Sequence, residues 1–153
     1  MEALVQAQRD YFFTGAPLPL SFRRQALERL RRAILQREEE IYAALAADLN
    51  KSPAESYMCE VGLTLSELGY VSKNLPRWMR DSRRPASLAQ FPAKSCVRPE
   101  PYGVVLILSP WNYPFLLAME PLIGAIAAGN CCIVKPSADS PRTSAVLRKI
   151  LSD

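Results

Sequence analysis

A chain of 153 residues that is 49% hydrophobic and 22% charged has the make-up of an ordinary globular domain with one core, and its net charge of +4 is too small to argue for nucleic acid as a partner. It contains no histidine, which removes imidazole as base, shuttle or metal ligand and excludes a histidine-dependent hydrolase triad within this chain. Its four cysteines, Cys59, Cys96, Cys131 and Cys132, lack C-x-x-C spacing and any second ligand cluster, so neither a metal nor a redox pair is expected and the thiols read as reduced packing residues.

The first residues show no basic stretch followed by an apolar one, so no secretory signal is visible and a cytoplasmic location is the default expectation. Residues 21–49 place Leu27, Leu30, Ile34, Ile41, Leu45 and Leu49 at steps of three, four or seven, which predicts one amphipathic helix. Arg23, Arg24, Arg29, Arg31, Arg32 and Arg37 lie on it among Glu28, Glu38, Glu39 and Glu40, the pattern of a solvated face with i,i+4 pairing. Ser52, Pro53 and Glu55 supply a cap, a first-turn proline and a capping-box acid for a second helix. Its apolar face is predicted to be Met58, Val61, Leu65, Leu68, Leu75 and Met79, with Pro76 kinking or ending it. A second basic cluster, Arg77, Arg80, Arg83 and Arg84, belongs to no recognised nucleic-acid module. Residues 81–92 read as a linker and 93–98 as a strand with an open edge.

From 103 to 109 the chain is apolar, β-branched and without alternation, which predicts a strand covered on both faces of a parallel sheet. Pro110 stops it, Pro114 fits a first helical position, and 115–128 is long and apolar enough for a buried crossover helix. Gly129 and Asn130 carry C-cap chemistry, and 131–134 is a second short strand, so the whole predicts one βαβ unit. Ligands of open α/β sheets bind at strand carboxyl ends, where Ser109, Trp111, Asn112, Lys135 and Ser137 fall. Taken locally, Asn112 is as readily a helix cap or an Asx turn as a catalytic amide, Lys135 an ordinary surface lysine, and Trp111 a packing residue. Asn112, Glu120 and the prolines at 110, 114 and 121 break the apolar run, leaving no span of about 20 apolar residues for a membrane segment.

Pro110-Trp111-Asn112-Tyr113-Pro114, Ala127-Ala128-Gly129-Asn130 and Lys135-Pro136-Ser137, in this order and spacing, resemble the aldehyde dehydrogenase superfamily, most closely its class 3, fatty-aldehyde-type branch. Segments 48–52, 74–79 and 99–103 agree more weakly, so the resemblance covers nearly the whole chain. It implies an α/β fold in which an N-terminal helical layer precedes the first βαβ unit of a Rossmann-like dinucleotide-binding domain, left incomplete. The expected division is 1–80 helical, 81–102 linker and oligomerisation strand, and 103–153 the βαβ unit, with the catalytic domain absent. Members of this family are considerably longer, so the chain looks like an N-terminal fragment.

The implied reaction oxidises an aldehyde substrate to a carboxylic acid through a cysteine thioester, with NAD or NADP as hydride acceptor. By resemblance Asn112 is catalytic and serves the oxyanion, while Ser109, Trp111, Lys135 and Ser137 bind cofactor, Lys135 at the adenosine ribose. Ala138 stands where many NAD-preferring members carry a glutamate, which leaves the choice between NAD and NADP open. The family's nucleophilic thiol, glutamate base and pyrophosphate-facing glycines would fall beyond Asp153, and none of the four cysteines replaces that thiol. The isolated chain is therefore expected to be inactive and aggregation-prone, and the full-length protein a homodimer. Two other readings remain open here: a non-catalytic piece that associates through its helices, and an acylating or phosphorylated-substrate reductase on the same fold.

Overall fold

The computed structural model describes residues 2–152. It opens with α1 (Glu2–Phe13), a helix that the apolar pattern does not suggest; none of its residues is fully buried. The single helix expected across 21–49 is two, α2 (Leu20–Gln36) and α3 (Glu38–Leu49), broken at Arg37 with φ −116° and ψ 19°. Ile34 and Ile41 are both fully buried, so the apolar spacing runs across the break and conceals it. Glu38, Glu39 and Glu40 then sit in the first turn of α3, where carboxylates favour a new helix start. Asn50, left-handed at φ 54°, ends α3 and donates its N–H to the Ala46 carbonyl.

The next helix starts as predicted: in α4 (Pro53–Ser56) the Glu55 N–H donates to Ser52 Oγ at 3.2 Å. A π-helical turn, Tyr57–Val61, then separates α4 from α5 (Gly62–Trp78). One inserted residue rotates the downstream helix by about 100° relative to a regular one. Met58, expected on the apolar face, is accordingly 72% exposed, whereas Glu60 is fully buried. The Gly62 N–H closes the wide turn on the Tyr57 carbonyl, and a Cβ there would lie 2.8 Å from that oxygen, so glycine is required. Val61, Leu68 and Leu75 are buried and Leu65 and Met79 pack against the core as expected. Pro76 does not end α5, which continues to Trp78.

Residues 81–92 are more than a linker. The chain forms an antiparallel hairpin of β1 (Ser82–Arg84) and β2 (Ser95–Val97), with Arg83 opposite Cys96, so the strand expected in 93–98 has a partner. Arg98 closes its mouth by donating to both Asp81 carboxylate oxygens at 3.0 and 2.7 Å. The hairpin's paired residues are all exposed.

β3 (Val104–Leu108) and β4 (Cys131–Lys135) pair in parallel, Val104 opposite Cys131 and Leu108 opposite Lys135, with α6 (Leu116–Ala128) crossing between them. This is the predicted βαβ unit, except that α6 begins two residues after Pro114. The predicted two-sided cover of β3 is incomplete. Ile107 is buried in the core with residues of α6, whereas on the alternate face Val5, Phe12 and Phe13 of α1 line an open cavity with Val104 and Leu106, and Leu106 stays 57% and Leu108 67% exposed. After β4, α7 (Pro141–Ser152) packs along α3.

Gly129, at φ 89°, closes α6 in a Schellman turn: the Asn130 N–H donates to the Ala125 carbonyl and the Gly129 N–H to that of Ile126, both at 2.9 Å. The Asn130 carboxamide oxygen accepts the Gly103 N–H at 2.9 Å, which ties the entry of β4 to that of β3. Arg23 departs from the solvated face predicted for its helix. It is buried, and its guanidinium donates to the carbonyls of Ala127 at 3.1 Å and Pro17 at 3.3 Å, anchoring the end of α6 to α2. Among the described residues no helix is long and apolar enough to cross a membrane.

Candidate functional site

The Ser109 N–H donates to the Lys135 carbonyl at 3.2 Å, which extends the strand pairing one residue past β3 and brings the carboxyl ends of both strands level. Ser109 is buried there with its Oγ unpartnered. Lys135 is exposed at the adjacent strand end. Ser137 behaves differently: its Oγ accepts the Asp139 N–H at 3.2 Å and donates to Asp139 Oδ2 at 3.3 Å, so this hydroxyl is already used in a local turn. Ala138 is exposed beside it.

Trp111 is 55% exposed at the same loop. Asn112 next to it is also exposed, and its carboxamide makes no hydrogen bond among the described residues. It does not cap α6. The N–H groups of Phe115 and Leu116 donate instead to Glu60 Oε2, at 2.8 and 3.2 Å, across 55 positions of sequence. The other Glu60 oxygen accepts from Lys51 Nζ at 2.5 Å. Lys51 Nζ also donates to the Asn112 carbonyl at 3.3 Å and stands 4.1 Å from the centre of the Tyr113 ring. Lys51 falls in the segment 48–52 that agrees weakly with the family but has no role assigned from sequence, and Glu60 stands out only once the π turn is known.

The amino end of α7 is treated alike. Asp48 of α3 accepts the Arg142 N–H at 3.1 Å, and the Thr143 N–H and hydroxyl at 2.7 and 2.9 Å. Both helix starts at this edge thus already hold a carboxylate, which opposes a ligand phosphate at either. What the edge leaves for a ligand is a hydroxyl, an ammonium, an indole and a carboxamide, a set suited to a polyhydroxylated ligand with a flat ring.

Cys131 and Cys132 open β4, at the opposite end of the strand from this edge. Burial, with Cys131 adding to it, pushes the Cys132 thiol up to about 12, and burial raises that of Cys131 as well, so both are protonated at neutral pH. Among the described residues no three Cys, Asp or Glu side chains stand close enough to share a metal ion.

A parallel βαβ unit with polar groups at its strand ends, behind a helical layer, is the opening of a Rossmann-like α/β domain. Residues 1–153 match the aldehyde dehydrogenase family, and the chain belongs to it. It is 49% identical over 153 residues to mouse (Mus musculus) aldehyde dehydrogenase family 3 member A2, covering 99% of this chain and 31% of that protein. The solved structure of Staphylococcus aureus AldH in a substrate-bound state superposes with a TM-score of 0.95 at 39% identity, over 99% of this chain and 33% of that one. The solved structure of glyceraldehyde-3-phosphate dehydrogenase GapN from Methanocaldococcus jannaschii, complexed with NADP, shares the fold with a TM-score of 0.85 at 24% identity, over 99% of this chain and 32% of that one. The chain therefore spans about a third of the length of the relatives it matches.

Proposed function

We propose that this chain is the N-terminal part of an NAD(P)-dependent aldehyde dehydrogenase that oxidises an aldehyde to a carboxylic acid, supplying the oxyanion donor Asn112 and part of the adenosine-ribose site. The observation that carries the reading is Asn112 itself: an exposed, unpartnered carboxamide at the carboxyl end of β3, relieved of any capping duty by Glu60. When a thiolate elsewhere in the longer protein adds to the aldehyde, the Asn112 N–H donates to the oxygen as it gains charge. That donor stabilises the transition state more than the free aldehyde.

The residues present fit a nicotinamide dinucleotide, which when bound supplies the hydride acceptor. Lys135 would donate to ribose hydroxyls, Ser109 Oγ has an unfilled hydrogen bond at the same edge, and Trp111 would wall the site. Ser137 would reach a ligand only by exchanging its bond to Asp139. Ala138 neither binds the ribose 2′-hydroxyl nor repels a 2′-phosphate, so the choice between NAD and NADP stays open at this position. The parts of the chain take separate roles: 1–80 as helical support, 81–102 as an arm that pairs with a second copy in a homodimer, and 103–153 as the cofactor-side βαβ unit. The open edges of the exposed β1–β2 hairpin favour that pairing. The same reading has the protein acting in the cytoplasm and the isolated 153-residue chain, whose Cys131 and Cys132 thiols stay protonated, inactive.

The test is aldehyde-dependent NAD(P)H formation by the full-length protein. Asn112→Ala is expected to lower kcat by about 100- to 1,000-fold. Undiminished turnover by that variant overturns the role, and absence of activity with every aldehyde and both cofactors overturns the enzyme reading. The rate ratio between NAD and NADP fixes the preference left open at Ala138.

A further inference from the structure

We infer that the buried Lys51–Glu60 pair is a positioning device for the oxyanion donor, an inference that rests on the proposed role of Asn112. The pair grips the loop on both sides of Pro114. Lys51 holds the Asn112 carbonyl and the Tyr113 ring, and Glu60 holds the Phe115 and Leu116 N–H groups. The two charges are joined to each other at 2.5 Å, with side-chain exposures of 9% and 0%. The peptide of Asn112 is thereby fixed from beneath while its carboxamide stays clear for a reacting oxygen.

A cap for stability alone does not require this arrangement. Ser52 caps α4 from the adjoining loop, without charge and without burial. At α6 the chain instead buries an ion pair, whose desolvation cost is offset only by complete hydrogen bonding, and uses a π turn to bring Glu60 inward. The feature that distinguishes this end is the amide placed within the loop. A donor acts only when it stands at hydrogen-bond distance from the developing charge, and a displacement of about 1 Å can cost about 100-fold in rate.

The experiment measures kcat and KM for aldehyde in the full-length protein, with Lys51→Met, Lys51→Arg, Asn112→Ala and the Lys51→Met/Asn112→Ala double variant. Lys51→Met is expected to lower kcat by about tenfold or more with KM changed less than about twofold, and Lys51→Arg to restore kcat to within about threefold. In the Asn112→Ala background, Lys51→Met should cause no further loss, because both act through one amide. Wild-type kcat in Lys51→Met, or a loss that multiplies with that of Asn112→Ala, overturns the positioning role while leaving the oxyanion role intact. If Asn112→Ala itself turns over normally, the oxyanion reading falls and takes this inference with it. Should Lys51→Met fail to fold by circular dichroism, Glu60→Gln, which keeps an acceptor for the two N–H groups, is judged by the same criteria.

Discussion

The amino ends of α6 and α7 open onto the same sheet edge, and each is capped by a carboxylate from the helical layer, yet the two loops before them are held in different ways. Ahead of α6, residues 109–115 depend on Glu60 and Lys51, both buried and both distant in sequence. Ahead of α7, Ser137 folds its own turn with Asp139, its carbonyl accepts from Ser144 Oγ at 3.0 Å, and Asp48, only half-buried, adds the cap. The loop carrying the proposed reacting amide is thus set by tertiary contacts, whereas the loop on the proposed ribose side is largely set by itself. A side chain that must meet a developing charge tolerates less displacement than one that hydrogen-bonds a flexible hydroxyl.

Breaking the two caps should separate them by size. Glu60→Ala leaves the buried Phe115 N–H, the part-buried Leu116 N–H and the Lys51 ammonium without their acceptor, and the loss of unfolding free energy in urea should be about 3–5 kcal/mol. Asp48→Ala removes a cap nearer to water, and the same measurement should give about 1–2 kcal/mol. Equal losses would mean that the burial of Glu60 adds nothing. Between these lies the far end of α6. Gly129→Ala forces a left-handed backbone on alanine and drives a Cβ to 2.6 Å from Arg23, with an expected cost of about 1–3 kcal/mol; a thermal midpoint equal to wild type would refute it.

Smaller effects test the contrast between this braced edge and the exposed hairpin. Iodoacetamide at neutral pH should label exposed Cys96 first and Cys131 and Cys132 last, since burial shields Cys131 and pushes both thiols up; mass spectrometry of a time course reads the order. The smallest effect concerns Asp81, whose carboxyl the hydrogen bonds from Arg98 hold below its ordinary value. A carboxyl depressed in the folded state contributes stability that is present above its unfolded pKa and lost as pH falls through its folded one. Hairpin amide protection should therefore fade in acid below the ordinary Asp range, with a modest amplitude because the pair is exposed.

The sequence by itself determined the local framework. Strand runs at 103–109 and 131–134, the glycine closing α6, the Ser52 cap and the order of the βαβ unit all arise from backbone preferences that neighbouring residues set. The family was legible too, from three short motifs whose spacing the fold preserves. Tertiary structure decided the rest. The break at Arg37 is hidden because Ile34 and Ile41 keep the same spacing across it, and the hairpin escapes the sequence pattern because Asp81 and Arg98 meet only after the chain turns back. The π turn rotates Met58 outward and Glu60 inward, reversing what regular periodicity predicts. Asp48, Glu60 and Arg23 look in sequence like any charged residues of surface helices, and Lys51 like any charged residue of the loop between two. Periodicity reports which face a residue lies on, and only packing decides whether that face meets water or an unsatisfied backbone group.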